Sequence, residues 1–175
     1  MLCDIAIDSQ EYYPSNSTSS FNHNGGNGYA NNYALSNIRK WLNETFYNTA
    51  FNDLQKELVQ VTKVDNSVAS TGYSSNQYAC ADTNDKVFLL SYKEATTYMT
   101  SSTARQMKST DYAKSQGCWQ STDSSYKGNC WWWLRSPHDN YSSSARYVYY
   151  DGGIGHTDSV SSASRGVVPA LWIRL

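Results

Sequence analysis

The chain has 175 residues, a length that fits a single domain, 1–175, able to bury a core without obligatory staples. Its 14 Lys and Arg nearly balance 15 Asp and Glu, for a net charge of -1, and the cations are scattered, so no nucleic-acid partner is expected. No apolar stretch is long enough to span a bilayer and the first residues do not resemble a signal peptide, so no membrane insertion is expected either.

The first third of the chain is predicted to contain a polar loop and two helices. Residues 10–32 are rich in Ser, Asn and Gly without an apolar period, which indicates a loop. An amphipathic helix is predicted by four apolar residues at helical spacing: Leu35, Ile38, Leu42 and Phe46. A second helix is expected to begin near Asn52 or Asp53 and to turn Leu54 and Leu58 toward the core.

Short elements are predicted in the middle of the chain. Strands are expected at 59–64 and 86–91, with a polar loop at 67–81 between them. Ser91 and Glu94 have the spacing of a capping box, which predicts a helix over 92–98. A brief helix over 111–116 is expected to end at Gly117.

From Trp131 onward the pattern is one of strands and turns. Continuous apolar runs at 131–137 and 166–173 predict buried strands, and the polar, Tyr-rich residues 138–165 between them predict exposed loops and a hairpin. Asp151 and Gly152 predict a tight two-residue turn in that hairpin. The expected fold class is therefore α+β, with early helices and a small antiparallel sheet with long loops.

Two aromatic features and one proline refine this prediction. Alternation along a strand gives Trp132 and Trp133 structural roles and leaves Trp119, in a polar loop, as the better candidate for an exposed aromatic ring. Pro169 cannot donate a hydrogen bond, so the last strand is expected to lie at an edge or to bend there.

The four cysteines have no C-x-x-C spacing and only three histidines accompany them, so no zinc site is expected. Cys118 and Cys130 flank a loop that a disulfide could close, with buried free thiols as the alternative. Calcium-dependent sugar binding is disfavoured because the lectin phrases Glu-Pro-Asn and Trp-Asn-Asp are absent. We expect neither a metal nor a cofactor, and the one alternative left open is a structural ion near the polar loops.

Several phrases, taken in order, resemble one family. They are Leu35–Asn43, Phe46–Phe51, Asp85–Ser91, Tyr112–Lys114, Trp132–Pro137 and Gly166–Trp172. Together they resemble the bacterial domain family whose members carry WWLRSP and GVRPALW near the C-terminus. That family resembles C-type-lectin-fold proteins of the formylglycine-generating-enzyme-like group, some of which are variable proteins diversified by retroelements. One departure is Val168, where members of the family usually have Arg.

The resemblance implies a ligand-binding scaffold with a C-terminal variable region, about 131–175. A retroelement of this type mutates template adenines, and an Asn codon treated in this way does not yield Lys, Glu, Gln, Met or Trp. None of these five residue types occurs in 138–165, although Lys, Glu and Gln are ordinary upstream. A short hairpin rich in Tyr, Ser and Gly also lacks long side chains through its turn chemistry, which is the alternative explanation.

The leading hypothesis is a non-enzymatic binding and display module on a bacterial surface or phage particle, recognising a protein or glycan on a cell surface. Tyr is abundant, with 15 Tyr against 4 Phe, and it gives contact area at low entropic cost. The candidate ligand-binding residues are His138, Asp139, Asn140, Tyr141, Ser143, Tyr147, Tyr149, Tyr150, Gly155, His156, Asp158 and Ser161. Asp151 is expected to shape the hairpin turn.

Two other functions stay open. One is a formylglycine-generating-type oxidase, which would use reactive thiols at Cys118 and Cys130. The other is an inert structural domain of a surface or tail-fibre protein, which would need neither a catalytic nor a binding site. Acid–base catalysis needs side chains whose pKa values are shifted by burial. The candidates for it, His138, Asp139, His156 and the neighbouring carboxylates, lie in loops that are predicted to be exposed. No catalytic residue is therefore assigned.

Overall fold

The computed structural model describes residues 1–174, which form a mixed α+β structure, as predicted. In chain order the elements are β1 (Ile5–Ala6), β2 (Asp8–Ser9), β3 (Phe21–His23), β4 (Gly26–Gly28), a 3-10 turn (Tyr33–Leu35), α1 (Asn37–Trp41), a π-helical segment (Leu42–Phe46), α2 (Tyr47–Ala50), α3 (Asp53–Leu58), β5 (Val59–Gln60), β6 (Thr62–Val64), a 3-10 turn (Val68–Ser70), β7 (Thr83–Asp85), α4 (Tyr92–Tyr98), α5 (Ser102–Arg105), β8 (Lys108–Ser109), α6 (Asp111–Ser115), β9 (Trp132–Pro137), β10 (Ser144–Val148), β11 (Ile154–Ser159), β12 (Gly166–Val167) and β13 (Trp172–Ile173).

The main sheet has five strands in the order β11-β10-β9-β12-β2. Strands β9, β10 and β11 form an antiparallel meander, and β12 pairs in antiparallel fashion with β2. Strand β12 lies parallel to β9, however, with Gly166 opposite Trp132. The prediction of a purely antiparallel sheet was therefore wrong at this pair, because the chain reaches β12 by a crossover rather than a hairpin.

The main sheet separates two hydrophobic cores, one on each face. All six residues of β9 are buried, as expected for a continuous apolar run in the centre of a covered sheet. Trp132 belongs to one core and Trp133 to the other, and both are fully buried, which confirms their structural roles. The centre of the sheet is therefore a rigid frame for the segments that follow it.

A partly buried ion pair joins this frame to α4. The Arg135 guanidinium contacts both carboxylate oxygens of Glu94, the residue that also completes the capping box of α4 with Ser91. Arg135 also donates to the Asn66 side chain at 3.1 Å and to the backbone carbonyl of Leu89 at 2.7 Å. Every branch of this buried cation thus has a partner, as a buried charge requires.

The two ends of the chain meet beside the main sheet. Leu2 pairs with Ala170, and the Cys3 amide donates to the Pro169 carbonyl at 3.0 Å. Pro169 lies between β12 and β13 and belongs to neither, so the predicted buried strand 166–173 is two short strands, and Trp172 in the second is 50% exposed. No described helix is long and apolar enough to cross a bilayer.

The predicted helices all occur, but one helix face that was expected to be buried is exposed. The amphipathic helix runs continuously from Asn37 to Ala50 through α1, the π-helical segment and α2. Helices α4 and α6 occur as predicted, and Asn52 caps α3. The expectation that Leu54 and Leu58 face the core was wrong, since they are 75% and 49% exposed. Helix α3 is too short and too peripheral to bury its apolar side chains.

The strand predictions need three corrections. The predicted loop 10–32 contains a small hairpin, β3 and β4, which turns at Asn24 and Gly25, both with positive φ. The predicted strand 59–64 is two strands, of which β5 pairs with β13 and β6 with β7. Residues 86–91 are buried over Val87–Leu90 but form only one bridge, from Phe88 to Ala170. The amides of Val87 and Leu89 donate to the side chains of Asn43 and Tyr33 instead of to a neighbouring strand.

Candidate functional site

The hairpin of β10 and β11 carries most of the candidate residues. The Tyr149 amide donates to the Gly153 carbonyl at 2.8 Å, and the Gly152 amide donates to the Tyr149 carbonyl at 2.9 Å. The turn therefore has three residues and not two, with Gly152 at a φ of +83°. The Asp151 carboxylate accepts from the Gly153 amide at 2.7 Å, so Asp151 has the turn-shaping role expected of it.

An aromatic ladder of four stacked rings lies beside this turn. Trp119 stacks on Trp131 with centroids 4.0 Å apart and planes 7° apart. Tyr149 continues the stack at 5.5 Å from Trp131, and His156 follows at 4.8 Å from Tyr149. The first three rings are half-buried and His156 is exposed. The ladder therefore consists of stacked rings that are all at least partly exposed.

Tyr150 widens this surface at the tip of the hairpin. Its ring centroid is 4.5 Å from that of Tyr149 and 5.6 Å from that of Trp119. Tyr126, from the loop before β9, adds an edge contact at 5.5 Å. Sequence reasoning did not place Trp131 or Tyr126 at the surface, because their proximity to Tyr149 and Tyr150 depends on how the loop 119–130 folds back.

Tyr147 supports the ladder from below. It is only 7% exposed and belongs to the core around Trp133, so the expectation of an exposed contact was wrong for this residue. The reason is that Tyr147 lies in the middle of β10, opposite Trp133 of the central strand β9. Burial raises the pKa of its hydroxyl, which stays protonated at neutral pH.

A buried arginine fixes Tyr147 and the base of the ladder together. The Arg165 guanidinium lies 4.2 Å from the ring centroid of Trp131 and 4.8 Å from that of Tyr147. It pairs with the Asp158 carboxylate and donates to the Ser164 hydroxyl at 2.7 Å. Asp158, a predicted contact residue, is therefore already engaged by the protein itself.

A second group of candidate residues surrounds His138, after β9. The His138 ring is 4.8 Å from the Tyr141 ring and 5.9 Å from the Tyr73 ring. Its Nδ1 lies 2.9 Å from the Asn140 amide nitrogen and 3.0 Å from a carboxylate oxygen of Asp139. Burial lowers the pKa of His138, and the neighbouring Asp139 carboxylate opposes this effect without reversing it.

A buried asparagine holds the backbone of this group. The Asn31 amide nitrogen donates to the carbonyls of Tyr141 at 3.0 Å and Ser144 at 3.2 Å, and the Asn31 backbone amide donates to the Ser142 carbonyl at 3.0 Å. Tyr141 itself is 63% exposed. Asn31 gave no sequence signal, since it is one of several asparagines in a segment predicted as a loop.

The remaining candidate residues have smaller roles. The Ser143 carbonyl accepts from the Val160 amide at 3.0 Å, and the Ser161 hydroxyl contacts that of Ser159 at 3.0 Å. Gly155 is exposed, with a φ of +106°. The structure therefore brings the candidates into two groups, one at the aromatic ladder and one around His138, and not into one continuous cluster.

The two cysteines considered for an oxidase lie beside each other. Cys118 and Cys130 are both buried free thiols. The Cys130 thiol donates a hydrogen bond to the Cys118 sulfur, which lowers the pKa of Cys118 and, together with burial, raises the pKa of Cys130. Within residues 1–174, no group of three or more His, Cys, Asp or Glu side chains is placed to hold a metal ion.

Comparison with known proteins gives one finding. No curated protein and no solved structure matches the chain. One family model, described as a domain of unknown function (DUF6273), matches residues 10–175, which include both early helices, all of the main sheet except β2, and both groups of candidate residues. The chain therefore belongs to the DUF6273 family.

Proposed function

We propose that this chain is a non-enzymatic ligand-binding domain that recognises a protein or glycan through the surface of residues 138–165. The aromatic ladder is the observation that carries the proposal. Its four stacked rings rest on the main sheet and remain partly exposed among small polar side chains. Rigid aromatic anchors within an adaptable polar rim are typical of binding hot spots and of paratopes.

The ladder also supports a division between a fixed frame and a replaceable surface. Trp119 and Trp131, at one end of the stack, lie outside the segment that lacks Lys, Glu, Gln, Met and Trp. Tyr149 and His156, at the other end, lie inside it. A frame that places variable rings at its surface allows the binding specificity to change while the fold is kept.

We also propose that the fold is C-type-lectin-like and of the formylglycine-generating-enzyme-like group. The support is the sequence phrases themselves, together with two early helices and a small sheet whose connections are long loops. The phrase WWLRSP forms β9, and the phrase containing Gly166 forms β12 beside it, which suits a scaffold role. Display on a bacterial surface or a phage particle, with a ligand on another cell, is part of the same proposal.

The DNA next to the gene tests the proposal. Diversification requires a reverse transcriptase gene and a near-identical template repeat that covers codons 138–165, with the mismatches at template adenines. A template repeat with that pattern is the expected result. A locus that contains neither a reverse transcriptase nor a repeat would contradict the diversified surface and favour an inert structural domain.

A further inference from the structure

Three arginines are buried in the described structure, and one of them has no partner. Arg135, Arg146 and Arg165 are 1%, 6% and 7% exposed. Arg135 pairs with Glu94, and Arg165 pairs with Asp158. The side chain of Arg146 forms no ion pair and no hydrogen bond with any residue among 1–174, and its Nε is fully buried without an acceptor. A buried cation left in this state is costly unless something else supplies the anion.

Two tyrosines cover the faces of the Arg146 guanidinium. Its central carbon lies 3.9 Å from the ring centroid of Tyr73 and 4.3 Å from that of Tyr92. Stacking of this kind holds the guanidinium plane in position and is favourable, but it satisfies none of the five N–H donors, which point outward in that plane. A partner can therefore approach Arg146 only along the edge of the group.

The free edge of the guanidinium faces small and polar residues. Gly155 adjoins it, since a Cβ atom at that position would lie 3.5 Å from Nη1 of Arg146. His138 is close enough for Arg146 to disfavour its protonated form, and Asp139 contributes one nearby negative charge. With Asp139 present, the local charge suits a monoanion better than a doubly charged phosphate. A planar carboxylate also matches the fork of a guanidinium held between two rings.

We propose that Arg146 is the receptor for a carboxylate of the ligand, supplied by an acidic side chain of a protein partner. An amino-acid source fits the tyrosine-lined surroundings, which resemble a paratope for protein. This inference rests on the proposed binding function and adds to it the chemical class of the ligand. It also identifies a binding residue, Arg146, that lies on the opposite side of β10 from Tyr147.

A fragment titration followed by NMR tests the proposal. The probes are N-acetyl-aspartate amide, its neutral asparagine analogue and D-glucuronate, at constant ionic strength, and the reporters are the amides of Gly155 and His138 and the Nε–H of Arg146. The aspartate fragment should produce saturable shifts, and Arg146→Met should weaken its binding by about tenfold or more, the usual value of a charge-assisted hydrogen bond. The asparagine analogue should produce no saturable shift.

The control is Lys114→Met, which removes an exposed cation on α6, a helix that carries none of the candidate binding residues. It should leave both the aspartate titration and the melting temperature nearly unchanged. Arg146→Met should fold normally, because the Arg146 side chain makes no hydrogen bond and the substitution keeps the backbone pairing of β10 with β11. If it does not fold, the Nε–H resonance of the wild-type protein still reports the interaction directly.

Two outcomes would overturn the proposal. Equal titrations in the wild type and in Arg146→Met would show that Arg146 receives no carboxylate. Tighter binding of glucuronate than of the aspartate fragment would show that the acid comes from a sugar and not from a protein. Neither outcome depends on the template repeat that tests the proposed function, so the two failures are distinguishable.

Discussion

Replacement of Tyr147 by Ala should destabilise the protein far more than replacement of Tyr149. Tyr147 is 7% exposed and packs between Trp131, Trp133 and the Arg165 guanidinium. Loss of a buried aromatic ring costs about 3 kcal/mol or more. For a domain of this size each kcal/mol lowers the melting temperature by about 2–4 °C, so a fall of about 6–12 °C is expected. The half-buried Tyr149 should lose only about 1 kcal/mol, because less apolar area is removed from contact.

Thermal unfolding followed by circular dichroism measures this difference. Tyr147→Phe is the matched control: it keeps the ring and should stay close to the wild type. A fall of equal size for Tyr147→Ala and Tyr149→Ala would refute the distinction between a supporting ring and a surface ring. An unchanged melting temperature for Tyr147→Ala would show that Tyr147 is not part of the core.

Three further predictions concern the surroundings of the site. Because burial holds the folded-state pKa of His138 below its ordinary 6.5, the unfolded state binds the proton first, so the unfolding free energy should fall as the pH drops below about 6.5. Urea titrations from pH 7.5 to 5 should show a smaller fall for His138→Asn. Gly152→Ala should lower the free energy of unfolding in urea by more than about 2 kcal/mol, because the added Cβ would clash with the Ser102 backbone. Gly128 has a similar φ but open space around it, so Gly128→Ala should cost about 1–2 kcal/mol. Equal losses would show that the backbone clash at Gly152 does not contribute. Cys118 and Cys130 should react slowly with a thiol reagent in the native protein and fully after unfolding, and rapid native labelling of Cys118 would favour the oxidase alternative.

Local signals in the sequence predicted the helices well. Ser91 and Glu94 cap α4 as their spacing indicates, because a capping box is formed by residues within one turn of each other. Leu54 and Leu58 were misplaced because their burial depends on what packs against α3, and nothing in the described structure covers that side. Periodicity predicts which side chains share a face but not whether another element covers that face.

The surface proposed for binding was predicted only in part for the same reason. Tyr149, Tyr150 and His156 were selected correctly as residues with exposed or half-exposed side chains, because the hairpin signal was local. Arg146 was not among the candidates because the proposal for it depends on its lack of a partner, which the sequence does not show. Asn31 was missed because its hydrogen bonds connect segments more than one hundred residues apart in the chain.

The most direct measurement of the central claim is the sequence of this gene in many sister isolates. Substitutions should concentrate between residues 138 and 165, and within that segment at exposed or half-exposed positions such as Tyr141, Tyr149 and His156. The fully buried Val148 and Val160 should stay constant, because they belong to the two cores. Substitutions spread evenly along the chain, or equally frequent at Val148 and Tyr149, would contradict a diversified surface on a fixed frame.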